Sequence, residues 1–226
     1  MMHGPELGRM FGMGLGAEMI YSFVIVISSL MIYFGTKELY ELSSHKGIRC
    51  FRQAFLFFAL AYFFRSFIKI VLSYFNVSGI LEVPMFLFGP IALFLFVYLS
   101  SIAVFYLLNS IMWKKWGNGV GRNIAFHLIA ILIAGINIYF NSTVVFVWSH
   151  LLIFVFIIAS LLISSERIRK HRFYLIYILI FIFWVLNVID VLVPKYLQSF
   201  QLFIYLSSTW IFLAILYKVM RIVGPD

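Results

Sequence analysis

Charge is what this sequence has least of. Of its 226 residues, 11% are Asp, Glu, Lys or Arg, against about 25% in an ordinary water-soluble domain. A soluble fold of this size could not cover its surface with so few charged groups while hiding a chain that is 64% hydrophobic and carries 27 phenylalanines. Cysteine is nearly absent as well. Cys50 stands alone, which excludes an intrachain disulfide and any cysteine-based zinc or redox pair. The first residues, Met1 to Gly16, lack a basic leader, a short apolar core and a small-residue cleavage site, so no cleaved signal peptide is expected there. There is no linker, low-complexity tract or soluble domain. Catalytic groupings are missing too: no zinc motif, no Ser–His or Cys–His pair at matched depth, and no acidic cluster for a metal-phosphate site. Enzyme chemistry, a metal and a cofactor are therefore not expected.

What the chain does have is a series of long apolar runs. A helix needs about 20 apolar residues to cross a hydrocarbon layer of about 30 Å. Seven runs qualify, at approximately 16–36, 53–76, 85–110, 123–140, 143–164, 173–193 and 198–219. Barrel strands would alternate every second residue over about ten residues. Phe55–Phe64 and Leu175–Leu186 are apolar on every side instead, as suits helices that satisfy their own backbone groups where no water is present. The expected fold is all-α: one membrane domain over residues 1–226, a polytopic bundle of seven transmembrane helices. Only Asn141, Ser142 and Thr143 separate the fourth and fifth runs, so a tight hairpin is expected there. Gly89-Pro90 is expected to kink the third.

The basic residues give the expected orientation. Lys37, Lys46, Arg49, Arg52, Lys114, Lys115, Arg122, Arg167, Arg169, Lys170, Arg172, Lys218 and Arg221 all fall on one side of an alternating seven-span arrangement, and only Arg9 and Lys195 on the other. Basic loops stay in the cytoplasm, so the N-terminus is placed outside and the C-terminus inside a cell membrane. The formal charge of +9 is thereby read as topology. A nucleic-acid binder would stripe its cations over one solvated face, and no nucleic-acid partner is expected.

Two cations escape this sorting. Arg65 sits near the middle of the second run, and Lys69 one turn nearer the outside on the same helix face. Each charge at such depth costs at least about 2.5–3.5 kcal/mol on insertion scales, so both should face the bundle interior or a wet cavity. Their acidic candidates are Asp190, Glu18 and Glu82, with Asn187 one turn from Asp190. A Lys69–Asp190 pair is the preferred expectation. The group Arg65, Lys69, Asp190, Asn187 and Glu18 could hold a substrate anion or ion, or could fasten helices. Gln198, Gln201, Ser207, Ser208 and Thr209 make the seventh run the most polar, able to line a cavity or to bond between helices.

His127 and His150 together suggest haem, but their depths differ by roughly 14 Å at 1.5 Å per residue, too far for one iron. Arg167, Arg169, Lys170 and Arg172 form a compact basic patch suited to anionic lipid headgroups or a cytoplasmic protein. The segment from Thr36 to Gln53 mixes charges with Leu39, Tyr40, Leu42 and Phe51 and is the best candidate for protein contact. Seven helices with an outside N-terminus also describe opsins, but Ser207 and Ser208 stand where a retinal lysine would be needed. The functional expectation is a receptor-like sensor or accessory subunit acting through partner proteins in the bilayer. The alternative is a small transporter or channel subunit with an intramembrane cationic site.

Overall fold

A computed structural model describes residues 14–78, 85–116, 120–140, 142–168, 174–192 and 198–223. Among them are eight helices: α1 Gly14–Gly35, α2 Lys37–Ser43, α3 Lys46–Ser78, α4 Met85–Trp116, α5 Val120–Phe140, α6 Thr143–Ile168, α7 Tyr174–Leu192 and α8 Gln198–Val223. No strand occurs among the described residues. The seven long helices match the seven apolar runs, and several outlast them. α3 starts at Lys46 and α4 continues to Trp116, because polar residues beyond the apolar stretch can extend a helix without breaking it. Among the described residues, five helices are long and apolar enough to cross a membrane, and the described parts of α6 and α7 contribute shorter apolar stretches, Val144–Ala159 and Leu175–Asp190. These helices point to a membrane-embedded protein.

The long helices pack in chain order, α1 on α3, α3 on α4, and so on to α8, which closes the ring by packing on α1. α4 also reaches α6 across the ring, and its central span is the most buried of the five. Because the helices are apolar all round, hydrophobicity does not distinguish core from lipid face. Side-chain fit does. On α3, Phe51, Ala54, Phe55, Phe58, Ala61 and Tyr62 are buried, while Phe63, Phe67 and Ile70 are exposed, and the buried set follows helical spacing. Phe55, Phe58, Phe183 and Phe212 meet edge to face or tilted, with ring centroids 4.8–6.2 Å apart. Such contacts contribute beyond the area they bury.

The Thr36–Gln53 segment folds as α2 and the start of α3. Thr36 is buried, its hydroxyl donating to the Ile32 carbonyl at 2.7 Å. Ser44 ends α2 in the left-handed region (φ 49°) and donates its N–H to the Tyr40 carbonyl, a common helix stop. Arg52 then fastens α3 to the end of α1. Its Nε donates to the Tyr33 carbonyl at 3.1 Å, and the guanidinium lies over the rings of Tyr33 (4.8 Å) and Tyr40 (5.5 Å). A cation is favoured at that carbonyl end by the helix dipole. The expected tight hairpin between α5 and α6 is short: α5 ends at Phe140, α6 begins at Thr143, and the Ser142 carbonyl accepts the Phe146 N–H at 3.0 Å. Asn141 lies outside the described residues. Pro90 is within α4.

α3 comes close to α4 at Gly47. A Cβ there would meet Trp113 Cδ1 at 2.9 Å and the Ser110 carbonyl oxygen at 3.0 Å. Gly47→Ala should therefore destabilise the bundle by about 1–3 kcal/mol, the range for overpacking, seen as a lower thermal midpoint in detergent. An unchanged midpoint would show that this contact does not hold α3 against α4.

Candidate functional site

One cluster of polar side chains inside the bundle comes in two layers, one helical turn apart. Four helices each supply one residue to each layer: Glu18 and Tyr21 from α1, Arg65 and Tyr62 from α3, Asp190 and Asn187 from α7, Gln201 and Tyr205 from α8. Spacings of three or four place each pair on one helix face, roughly 5 Å apart along the axis. The first layer is ionic. Arg65 donates from Nε to Glu18 Oε1 at 2.9 Å, and its Nη2 lies 2.8 Å from the same oxygen and 3.2 Å from Asp190 Oδ2. Gln201 Nε2 donates to the other Asp190 oxygen at 3.3 Å and to the Tyr205 hydroxyl at 3.1 Å. The guanidinium also sits over the Phe96 ring, 5.1 Å from its centroid. The side chains of Arg65, Glu18 and Asp190 are 13%, 12% and 4% exposed. Separating any of them would leave a charge with few other partners.

The second layer is neutral. The hydroxyls of Tyr21 (3.0 Å) and Tyr62 both donate to Asn187 Oδ1. They also approach each other at 3.2 Å. Asn187 Nδ2 donates to the Phe183 carbonyl of its own helix at 2.8 Å, which fixes the amide so that its oxygen faces the tyrosines. Tyr21 stacks on Tyr205 at 4.8 Å, closing the layer between α1 and α8. Buried polar groups are stabilising only when satisfied in this way.

Of the residues expected to form the site, the structure brings Arg65, Glu18, Asp190 and Asn187 together. Asp190, expected to meet Lys69, is engaged by Arg65 and Gln201. The side chain of Lys69 lies outside the described residues, as do Glu82, Arg169, Lys170, Arg172 and the side chains of Arg167 and Gln198. Ser208 is fully buried. The two histidines are separate. His127 on α5 meets the hydroxyls of Tyr98 (Nδ1, 2.8 Å) and Tyr106 (Nε2, 3.4 Å) from α4. His150 on α6 has Nδ1 2.8 Å from the Phe146 carbonyl. No group of three or more metal-ligating side chains occurs among the described residues. Sequence reasoning missed Tyr21, Tyr62 and Tyr205. Their signal was available: each stands three or four residues from a polar residue that had been singled out.

The chain is 30% identical over 217 residues to an uncharacterized protein of Archaeoglobus fulgidus, with 92% of each chain covered. It belongs to that protein's family. No family model and no solved structure matches it.

Asn187→Leu should destabilise this family member more than Tyr62→Phe. The first leaves two tyrosine hydroxyls without their acceptor, at about 1–3 kcal/mol, whereas the second removes one bond, at about 0.5–1.5 kcal/mol. Arg65→Lys should also fail to restore the ionic layer, because one ammonium does not reproduce the planar donor edge. Thermal midpoints of the three variants check the order. Equal midpoints for Asn187→Leu and Tyr62→Phe would contradict the shared-acceptor geometry.

Proposed function

We propose that this protein is a seven-span component of a cell membrane, N-terminus outside and C-terminus in the cytoplasm, acting as a receptor-like sensor or accessory subunit through partner proteins. The layer order supports the span count. On α1 and α8 the ionic-layer residue precedes its partner in sequence; on α3 and α7 it follows. α1 and α8 therefore run in one direction and α3 and α7 in the other, as an odd number of alternating crossings requires. The segregation of basic residues supports the orientation.

The observation that carries the functional reading is the engagement of Arg65. A binding cation in a transporter needs an open face for its anion. Here the guanidinium is taken up by carboxylates from two other helices and covered by Phe96. The arrangement ties α1, α3 and α7 together, so that a movement of one is felt by the other two. A contact shared by three helices is what a signalling membrane protein would use to pass movement between them. The cytoplasmic ends offer a place for output. Leu42 on α2 is 88% exposed and flanked by Glu38, Glu41 and Lys37, and the sequence-based topology assigns it to the same side of the membrane as Arg167, Arg169, Lys170 and Arg172.

Two measurements test this. In a Cys50→Ser background, Ser142→Cys should react with a membrane-impermeant maleimide from outside intact cells, and Ser44→Cys only after permeabilisation; the reverse pattern would overturn the orientation. A photo-crosslinking residue at Leu42 should give a discrete protein adduct in native membranes, while the purified protein in liposomes should carry no anion flux above protein-free vesicles. An anion flux abolished by Arg65→Leu would replace this reading with the transporter one.

A further inference from the structure

Between α3, α4, α6 and α7 lies a cavity of about 20 Å³, lined in part by His150, Asn187, Tyr62, Ser100 and Trp184. It adjoins the neutral layer, with which it shares Tyr62 and Asn187. Room for one water needs roughly 10–15 Å³, so the cavity takes a molecule of about that size. The hydrogens of its wall are largely committed. Tyr62 donates to Asn187 Oδ1, Ser100 donates to the Val97 carbonyl at 3.2 Å, and Asn187 donates to the Phe183 carbonyl. His150 is decisive. It is 4% exposed, and its Nδ1 lies 2.8 Å from a carbonyl oxygen, which can only accept. Nδ1 must therefore carry the proton, and Nε2 is left as a bare acceptor in a neutral ring. No partner for Nε2 occurs among the described residues. The ring is held in place by Phe146 (4.0 Å) and Trp184 (5.8 Å).

We infer that this cavity is a binding site for a small hydrogen-bond donor, one or two heavy atoms in size, that donates to His150 Nε2 and lies beside the Tyr62 and Ser100 oxygens. The chemistry shared by water and ammonium meets that description. Water can in addition accept a hydrogen bond, whereas ammonium gains from the aromatic walls. Occupancy joins α6 to the layers on α1, α3, α7 and α8. The inference deepens the sensor reading by giving it a ligand class, and it rests on that reading only for its purpose, not for its geometry.

Nitrogen-15 NMR of histidine-labelled protein in bilayers tests it. The His150 resonances are assigned by their loss in His150→Gln. If that variant does not fold, ring-to-ring correlations with Phe146 and Trp184 provide the assignment. The expected result is a neutral ring protonated at Nδ1, with Nε2 shifted as a hydrogen-bonded acceptor. A saturable further shift with ammonium chloride, absent with sodium chloride, identifies ammonium as the occupant; a hydrogen-bonded Nε2 indifferent to both salts identifies water. A ring protonated at Nε2, or an Nε2 free of any hydrogen bond in both salts, would overturn the site. The Leu42 crosslink and the flux measurement are independent of this readout, so failure here is distinguishable from failure of the sensor reading.

Discussion

The structure depends on a single guanidinium. Arg65 is carried well inside an apolar helix, where an unpaired charge is strongly disfavoured. The remedy uses two carboxylates from α1 and α7 at 2.8 Å and 3.2 Å. That requirement decides which faces of three helices turn inward. Once Glu18, Arg65 and Asp190 face one another, Tyr21, Tyr62 and Asn187 follow one turn away, because helical geometry places them on the same faces. Hydrophobicity could not have made this choice, since each of these helices is apolar on both its buried and its lipid side.

The pairing of an ionic with a neutral layer has a mechanical consequence. Lipid tails offer no hydrophobic drive between helices, so association rests on packing and interhelical hydrogen bonds. The two polar layers supply that attraction where α1, α3, α7 and α8 meet. Elsewhere the helices meet through interlocked rings such as Phe55, Phe183 and Phe212. At the level of Cys50, α3 and α4 are joined by Asn109 Nδ2 to Cys50 Sγ at 3.1 Å, and Arg52 fastens α3 to the carbonyl end of α1. α3 is thus held to α1 at the start and near the middle of its apolar stretch, and α1 closes the ring onto α8.

Much of the fold was legible in the sequence. The seven apolar runs correspond to the seven long helices, because a run of apolar residues of that length has only one way to satisfy its backbone without water. Arg65, Glu18, Asp190 and Asn187 were legible as a group because polar residues are so rare in these runs. Their pairing was not. Arg65 and Lys69 are one turn apart on the same face, and a depth argument good to about a turn does not single out Arg65 as a partner of Asp190. The tyrosines were hidden for a different reason. In a chain with 13 tyrosines and 27 phenylalanines, a hydroxyl that completes a network looks like one more aromatic side chain. His150 was legible as a depth but not as an acceptor, because its proton is placed by a carbonyl of its own helix.

The central claim is that Arg65 and its carboxylates hold the bundle together as one unit. A double-mutant cycle on Glu18→Leu and Arg65→Leu, read by equilibrium unfolding in mixed micelles, tests it most directly. Residues in one ion-pair network show coupling of about 0.5–3 kcal/mol, so the double variant should be more stable than the sum of the single losses implies. Additivity within about 0.3–0.5 kcal/mol would contradict the account and leave Arg65 a cation that merely lies near its neighbours.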